Sequence, residues 1–285
     1  MAGLPRKLAL RTAALLLAVR WYNIAFLSVA QGVFLWKLVQ SNPEAWASSG
    51  GWPVAVLLLL INALLVSGGS LINNFYDAEH DLIHRPWRTL FERTVVRKYG
   101  IPLAFSFWFF GLGLAWHLGT RMGLFFAVYA ALLWIYSHKR RTLQRGAHAV
   151  AAGLAFLPFL SCSLWLRTLP WNLLVYGLVL LLIETSRQAA KAAQTDPEVR
   201  GYRESLLVLF AAAAASVLSG AWWGQPGMIL IGFPAGTAVA FLRYLERTSY
   251  VNGVHEPVKA QHARNLDTFL KVYMIFSMGV LVFVL

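Results

Sequence analysis

Asn73, Asp77 and Asp81 carry side-chain oxygen atoms at a constant spacing of four residues. They stand near the end of a long apolar stretch that begins at about Trp52. In a helix this spacing is close to one turn, so the amide and the two carboxylates share a stripe and can converge on one ion. Acids in a membrane helix are costly unless a cation accompanies them. Oxygen-only ligands suit Mg²⁺, which commonly also takes phosphate oxygens, so the stripe predicts a site for Mg²⁺ and a phosphorylated ligand.

The residues after this stripe predict where its helix ends. Pro86 lacks a backbone donor and clashes with the preceding helical turn, so we expect the helix to end before it. A simpler alternative for the carboxylates is a solvated helix end, in which they pair with Arg85 and Arg88. The regular spacing favours the ion site, and the solvated end stays open as the alternative.

Two clusters of basic residues follow later apolar segments and could neutralise a diphosphate. One is a run of bases that begins with Lys139 and Arg140, shortly after Tyr136. In the other, Arg187 and Lys191 lie one helical turn apart and share a face. The first cluster could equally serve only to fix the topology of the chain in a membrane.

The elements that must position these residues are apolar helices. The chain has 285 residues, of which 58% are hydrophobic, so it is expected to be a polytopic membrane protein. Nine segments are each about long enough to cross a bilayer core of roughly 30 Å. They run over residues 14–38, 53–80, 100–118, 121–137, 147–166, 171–194, 203–222, 227–246 and 265–285. We therefore expect an all-α bundle of about nine transmembrane helices that forms one domain over residues 1–285.

The formal net charge is +13, and the distribution of the basic residues agrees with this topology. With nine spans, 22 of the 25 Lys and Arg residues fall at the N-terminus and in loops on one side, which the positive-inside rule assigns to the cytoplasm. We expect this side of a bacterial inner membrane to carry the motifs, so the basic charge needs no nucleic-acid partner. Cys162 is the only cysteine, which excludes an internal disulfide framework. The first apolar run lacks a clear cleavage site and is expected to be a retained helix.

Polar residues also interrupt the first apolar segment. Arg20, Asn23 and Gln31 lie within or beside it. Polar side chains at membrane depth commonly face the bundle interior or a cavity. Hydrogen bonding between neighbouring helices is the alternative, and the sequence leaves both open.

Together, three of these stretches resemble the UbiA superfamily of intramembrane prenyltransferases. The first aspartate-rich motif of that family is Asn-x-x-x-Asp-x-x-x-Asp, its first helix carries Arg-x-x-Asn, and its fourth helix is followed by a basic segment. The matching stretches here are Asn73 to Asp81 with Arg85-Pro86, Arg20 to Asn23, and Tyr136-Ser137 with the bases up to Gly146. Within the superfamily the chain is most similar to bacterial members that look like geranylgeranylglycerol-phosphate synthases.

The resemblance implies a reaction and a cofactor. Members join a polyprenyl diphosphate to an acceptor, which is an aromatic ring or a lipid alcohol, and two Mg²⁺ ions on two aspartate-rich motifs assist departure of the diphosphate. The implied partners are therefore a polyprenyl diphosphate donor, an aromatic or lipid acceptor and membrane lipid. Neutralising a leaving diphosphate and keeping water from the allylic carbon are sound requirements for such chemistry.

The second aspartate-rich motif departs from the family pattern. Members carry a stretch similar to Arg-Glu-x-x-Lys-Asp-x-Glu-Asp, whereas this chain keeps the bases and replaces the acids. The replacing residues are Ala192, Gln194 and Thr195, and His148 stands where an Asn is common. Asp196, Glu198 and Glu204 lie nearby at the wrong spacing. The second metal site is therefore not expected in its usual form.

Two accounts follow from this departure. In the first, the chain is a working transferase in which one Mg²⁺ and several bases neutralise the diphosphate. In the second, a catalytically impaired UbiA-like protein binds an isoprenoid or phospholipid, or acts as a partner of another membrane enzyme. A transporter is less favoured, because nearly all charge lies at one interface. A terpene cyclase on the same scaffold is a further alternative, and it also needs the metals.

The site residues expected on the first account fall into two groups. The metal ligands are Asn73, Asp77 and Asp81, of which the two aspartates are also the catalytic residues. The substrate-binding residues are Arg20, Asn23, Arg85, Tyr136, Lys139, Arg140, Arg187 and Lys191. Arg20 and Asn23 are expected at the acceptor end, and the other bases at the diphosphate. The sequence does not specify the acceptor, the donor chain length or the oligomeric state.

Overall fold

A computed structural model describes residues 3–84, 86–139, 146–168, 171–195, 201–224, 226–251 and 257–283. In these ranges the backbone is helical and contains no strand. The helices are α1 (Gly3–Ala18), α2 (Trp21–Ser41), α3 (Pro43–Ser48), α4 (Gly51–His84), α5 (Pro86–His117), α6 (Thr120–Lys139), α7 (Gly146–Leu166), α8 (Trp171–Thr195), α9 (Gly201–Trp223), α10 (Pro226–Val251) and α11 (Pro257–Phe283).

Eight of the nine predicted apolar segments, all except residues 14–38, each correspond to one long helix. Among the described residues, six helices are long and apolar enough to cross a membrane. They are α2, α6 and the apolar parts of α4, α5, α7 and α9. The all-helical, multi-pass membrane fold is therefore confirmed, whereas the count of nine spans is not.

The first predicted segment, residues 14–38, is not one continuous helix. It divides between α1 and α2, because Arg20 adopts a left-handed conformation with φ 57° and ψ 50°. Such a conformation is disfavoured for any residue with a Cβ, so something outside the segment must stabilise it. Neither Gly nor Pro marks the break, and the expectation of a single helix here is wrong for that reason.

The helices fall into two compact units. The first comprises residues 1–147 and 157–168, and the second comprises residues 148–156 and 169–285. The expectation of one domain over residues 1–285 stays a prediction.

In the first unit, small residues allow α4 and α5 to pack closely. A Cβ at Gly68 would lie 2.4 Å from Nε1 of Trp108 and 3.0 Å from the carbonyl oxygen of Ala104. The Trp108 indole instead donates a 2.9 Å hydrogen bond to the carbonyl oxygen of Leu65. Such an approach of a side chain to a neighbouring backbone is possible only where the facing residue is small.

A buried polar cluster joins α2, α4 and the C-terminal part of α7 in the same unit. Gln31 donates through Nε2 to the carbonyl oxygen of Pro158 at 3.1 Å. Asn62 donates through Nδ2 to Oγ of Ser161 at 3.1 Å, and that hydroxyl donates to the Pro158 carbonyl at 2.6 Å. For Gln31 the alternative of hydrogen bonding between helices is therefore confirmed.

In the second unit, hydroxyl groups hydrogen-bond across helix pairs. Ser186 of α8 and Ser205 of α9 each donate to the other's carbonyl oxygen, at 2.9 and 2.8 Å. Tyr176 of α8 donates to the carbonyl oxygen of Ser277 in α11 at 2.8 Å. These residues are buried, so the hydrogen bonds satisfy polar groups that have no access to water.

Replacing Gly68 with Ala should destabilise the first unit, because the added methyl group forces the Trp108 indole away from α4. The expected cost is about 1–3 kcal/mol, the usual range for an overfilled core. Thermal unfolding of the purified protein in detergent should show a lower Tm.

Gly113→Ala is the matched control, because an added Cβ at this helical glycine in α5 would meet nothing within 4 Å. Its Tm should be unchanged or slightly higher, since Ala favours a helix over Gly. Equal shifts in the two variants would contradict the close packing at Gly68.

Candidate functional site

The predicted stripe of oxygen ligands lies on a continuous helix. α4 extends to His84 and α5 begins at Pro86, so the helix ends before the proline as expected. Asn73 is buried and Asp77 is half-buried on the same face of α4. The backbone of Asp81 continues the helix, but its side chain lies outside the described residues. Arg85 also lies outside them.

The break between α1 and α2 is tied to this stretch of α4. Asn74 accepts a 2.9 Å hydrogen bond at Oδ1 from Nη2 of Arg20. Through Nδ2 it donates to the carbonyl oxygen of Ala18 at 2.7 Å. Asn74 is 7% exposed, whereas Asn23 is exposed on α2. Asn74 was not among the site residues predicted from the sequence, although a second amide beside Asn73 in an apolar helix was a usable signal.

The end of α6 also lies against this part of α4. The rings of Tyr76 and His138 have centroids 5.3 Å apart and are inclined at 70°. Tyr136 is half-buried and Lys139 is exposed, one helical turn further along α6. The structure therefore brings these predicted substrate-binding residues to the same end of the first unit as Asp77. Arg140 lies outside the described residues.

Arg187 lies in an ion-pair network of the second unit. Glu184 accepts two hydrogen bonds from its guanidinium, at 2.7 Å from Nε and 2.6 Å from Nη2. Asp267 of α11 lies 3.7 Å from Nη1 and accepts a 2.7 Å hydrogen bond from Lys271. Gln188 donates to Glu184 at 2.6 Å. The contact of Arg187 with a diphosphate stays a prediction, and the side chain of Lys191 lies outside the described residues.

The two acids of this network were not assigned to the site from the sequence. Glu184 precedes Arg187 by one turn, which is a detectable signal. Asp267 is separated from it by many residues and comes from α11, so spacing along α8 cannot reveal it. Both acids are 8% exposed, and buried carboxylates of this kind need a nearby base.

The donor set on α4 fits the chemistry of Mg²⁺. In the described part of the chain, no three His, Cys, Asp or Glu side chains come together as a metal site. Asn73 and Asp77 nevertheless place an amide and a carboxylate one turn apart, with the Asp81 position on the next turn. Mg²⁺ typically uses few protein oxygens and completes its shell with water and phosphate, so this set is adequate in kind.

Comparison with known proteins identifies the family. Residues 44–252 match the UbiA prenyltransferase family. The chain belongs to this family. The digeranylgeranylglyceryl phosphate synthase of Methanoregula boonei is 31% identical over 259 residues, which cover 82% of this chain and 87% of that protein. The enzyme of the same name from Methanoculleus marisnigri is 31% identical over 191 residues, 60% of this chain and 68% of that protein.

A solved structure supports the fold independently of sequence. It comes from a study of digeranylgeranylglyceryl phosphate synthase in membranes and superposes with a TM-score of 0.68 at 16% identity. The match covers 95% of this chain and 97% of that chain. The expected resemblance to the UbiA superfamily, the helical membrane fold and the prenyl-transfer class are thus confirmed.

In this UbiA-family chain, the largely buried pair Glu184–Arg187 should contribute more to stability than the more exposed pair Asp267–Lys271. Glu184→Ala leaves the Arg187 guanidinium without its bidentate partner in a largely buried position. Breaking such a pair costs about 3 kcal/mol or more, so thermal unfolding in detergent should show a clearly lower Tm.

Lys271→Ala is the matched comparison in the same network. The Lys271 side chain is 58% exposed, and an exposed ion pair contributes at most about 1 kcal/mol. Its Tm should stay close to that of the parent. If Lys271→Ala lowered the Tm as much as Glu184→Ala, the assignment of the buried pair as the stabilising one would be wrong.

Proposed function

We propose that the protein transfers a polyprenyl group from a polyprenyl diphosphate to the hydroxyl group of a prenylated glycerol phosphate within the membrane. The observation that carries this proposal is the oxygen stripe on α4, where a buried Asn73 and a half-buried Asp77 share one face. The relatives named digeranylgeranylglyceryl phosphate synthase favour a lipid alcohol over an aromatic ring as the acceptor.

The reaction breaks the bond between the allylic carbon of the donor and the diphosphate oxygen. The bonding electron pair leaves with the diphosphate, the acceptor oxygen forms a new bond to that carbon, and the acceptor proton is released. The developing charge lies on the departing diphosphate, so the protein must supply positive charge there. It must also keep water from the allylic carbon, a task suited to a site among apolar helices.

The residues of the first unit divide these tasks between them. Mg²⁺, held by Asn73, Asp77 and Asp81, would neutralise negative charge on the diphosphate. Lys139, the last residue of α6, and Arg140, the next residue in the sequence, would bind further phosphate oxygens as cationic donors. Asn23, with Arg20, would lie toward the acceptor. Tyr136 precedes Lys139 by one turn of α6 and would contact the substrate from the same helix.

On α8, bases would act in place of the acids that the family motif carries and this chain lacks. Arg187 and Lys191 share a face of α8. Arg187 already interacts with Glu184 and Asp267, so we assign the larger share of the diphosphate contact to Lys191. A single Mg²⁺ site assisted by bases is the form of the reaction that we propose for this chain.

The membrane orientation completes the proposal. The protein is an integral, multi-pass membrane protein, and the distribution of Lys and Arg supports a cytoplasmic location for the N-terminus and the α4 stripe. A bacterial cytoplasmic membrane is the location that we propose, although the similar proteins named above are archaeal.

Asp77→Asn should abolish Mg²⁺-dependent turnover, because it removes a carboxylate charge from the proposed ligand set while keeping nearly the same shape. The assay follows diphosphate release and lipid product from geranylgeranyl diphosphate and a prenylated glycerol phosphate, with and without Mg²⁺. We expect a loss of at least about a hundredfold in kcat/KM, comparable with the loss of one main electrostatic group at an active site.

Glu44→Gln is the control for this experiment, since it removes an exposed acid of α3 by the same chemical change. It should leave turnover unchanged. Parent-like turnover of Asp77→Asn would remove Asp77 from the metal site. If the parent protein bound the diphosphate lipid but released no diphosphate in any donor and acceptor combination, the catalytically impaired scaffold would replace the proposed transferase.

Lys191→Glu should raise the apparent KM for the donor diphosphate, because a negative charge would replace a proposed phosphate contact. We expect a rise of roughly tenfold or more, as for the loss of a charged hydrogen bond. Arg121→Glu makes the same change at the opposite end of α6 from Lys139 and should leave the donor KM unaltered. An unchanged donor KM in Lys191→Glu would exclude Lys191 from the site.

A further inference from the structure

The side-chain amide of Asn74 both accepts and donates a hydrogen bond at the break between α1 and α2. Its Oδ1 accepts from Nη2 of Arg20 at 2.9 Å, and its Nδ2 donates to the carbonyl oxygen of Ala18 at 2.7 Å. Asn74 is only 7% exposed, so its side chain holds a fixed position in α4. A carboxylate could make only the first contact, and an apolar side chain could make neither.

The hydrogen bond that Asn74 donates stabilises the break itself. Ala18 is the last residue of α1, where carbonyl oxygens have no donor within the helix. Arg20 then turns in the left-handed region at φ 57°, which residues other than Gly rarely adopt. By donating a hydrogen bond to the Ala18 carbonyl oxygen, Asn74 stabilises a left-handed turn that the α1–α2 segment does not favour on its own.

The hydrogen bond that Asn74 accepts fixes the guanidinium of Arg20 near the acidic stripe. Asn74 and Asp77 are three residues apart, so they are neighbours on the surface of α4, with Cβ atoms about 5–6 Å apart. A guanidinium hydrogen-bonded to Asn74 therefore lies within about one helical turn of Asp77. Arg20 is half-buried, which leaves part of the side chain accessible. An arginine fork held in this way suits phosphate oxygens.

We propose that Asn74 is a positioning residue that holds Arg20 to bind a phosphate group of a substrate bound beside Asp77. This inference rests on the proposed function, in which both substrates carry phosphate. The phosphate belongs either to the donor diphosphate or to the glycerol phosphate of the acceptor, and separate kinetic measurements distinguish the two. Asn74 itself contacts no reacting atom and acts through Arg20.

The test compares Asn74→Leu with Arg20→Gly and with the double variant. Asn74→Leu removes both hydrogen bonds. Arg20→Gly removes the guanidinium but keeps the turn, since glycine adopts the left-handed conformation readily. KM and kcat are measured with geranylgeranyl diphosphate varied in one series and a prenylated glycerol phosphate varied in the other.

We expect each single variant to raise the KM for one phosphate substrate roughly tenfold, the effect of losing one charge-assisted hydrogen bond. The kcat should stay within about twofold of the parent value, because the contact binds substrate rather than reacting atoms. The double variant should show no larger rise than either single variant, since both changes remove the same contact. The substrate whose KM rises identifies the bound phosphate.

Asn62→Leu is the matched control for a purely structural role. Asn62 is a buried amide of the same helix, 1% exposed, and its hydrogen bonds go to Leu58 and Ser161. Its loss should lower the Tm and leave both KM values unchanged. If Asn74→Leu behaved in the same way, with a lower Tm and parent-like KM values, Asn74 would only stabilise the helix break and the inference would be overturned.

A binding measurement separates this inference from the proposed function. Displacement of a labelled geranylgeranyl diphosphate by each phosphate lipid gives affinities without turnover. If the parent protein binds but does not react, the transferase proposal fails, and a roughly tenfold weaker affinity in Asn74→Leu still supports the inference. Parent-like affinities in Asn74→Leu, or a parent that binds neither phosphate lipid, overturn the inference.

Discussion

A polar side chain within a lipid-surrounded helix must find its partner on the protein, because no water is available there. The described helices meet this constraint mainly by hydrogen bonds to neighbouring backbone. The Pro158 carbonyl of α7 accepts from both Gln31 of α2 and Ser161 of its own helix. The Tyr176 hydroxyl of α8 donates to a carbonyl oxygen of α11. Such contacts fix the rotation and depth of each helix, and they thereby fix the positions of the site residues on those helices.

The same constraint explains the arrangement at the start of the chain. A left-handed Arg20 ends α1 early and leaves the buried Ala18 carbonyl oxygen without a donor from its own helix, which is unfavourable in an apolar setting. Asn74 of α4 corrects this with one amide group and places a guanidinium next to the carboxylate stripe. One side chain therefore satisfies the backbone at the helix break and also fixes the position of the Arg20 guanidinium. The amide oxygen of Asn73 and the carboxylate of Asp77 on this helix are ligands of the kind that Mg²⁺ binds.

Local sequence signals predicted one part of this structure well and another part poorly. The helix through Asn73 and Asp77 and its end before Pro86 follow from spacing and from proline chemistry, which are properties of adjacent residues. The break at Arg20 has no such signal, because its stabilising partner lies 54 residues away. Asp267 likewise reaches Arg187 only because α11 packs on α8. Contacts of this range depend on the complete fold and leave no periodic pattern.

The charge distribution on α8 constrains how a UbiA-family chain can work without the acids of its second motif. Loss of those acids suggests a more positive helix, but Glu184 and Asp267 offset Arg187 and Lys271 among the described side chains. That network is close to neutral, so it attracts an anion less than a lone arginine would. The Arg187 network alone therefore supplies little net positive charge for a diphosphate.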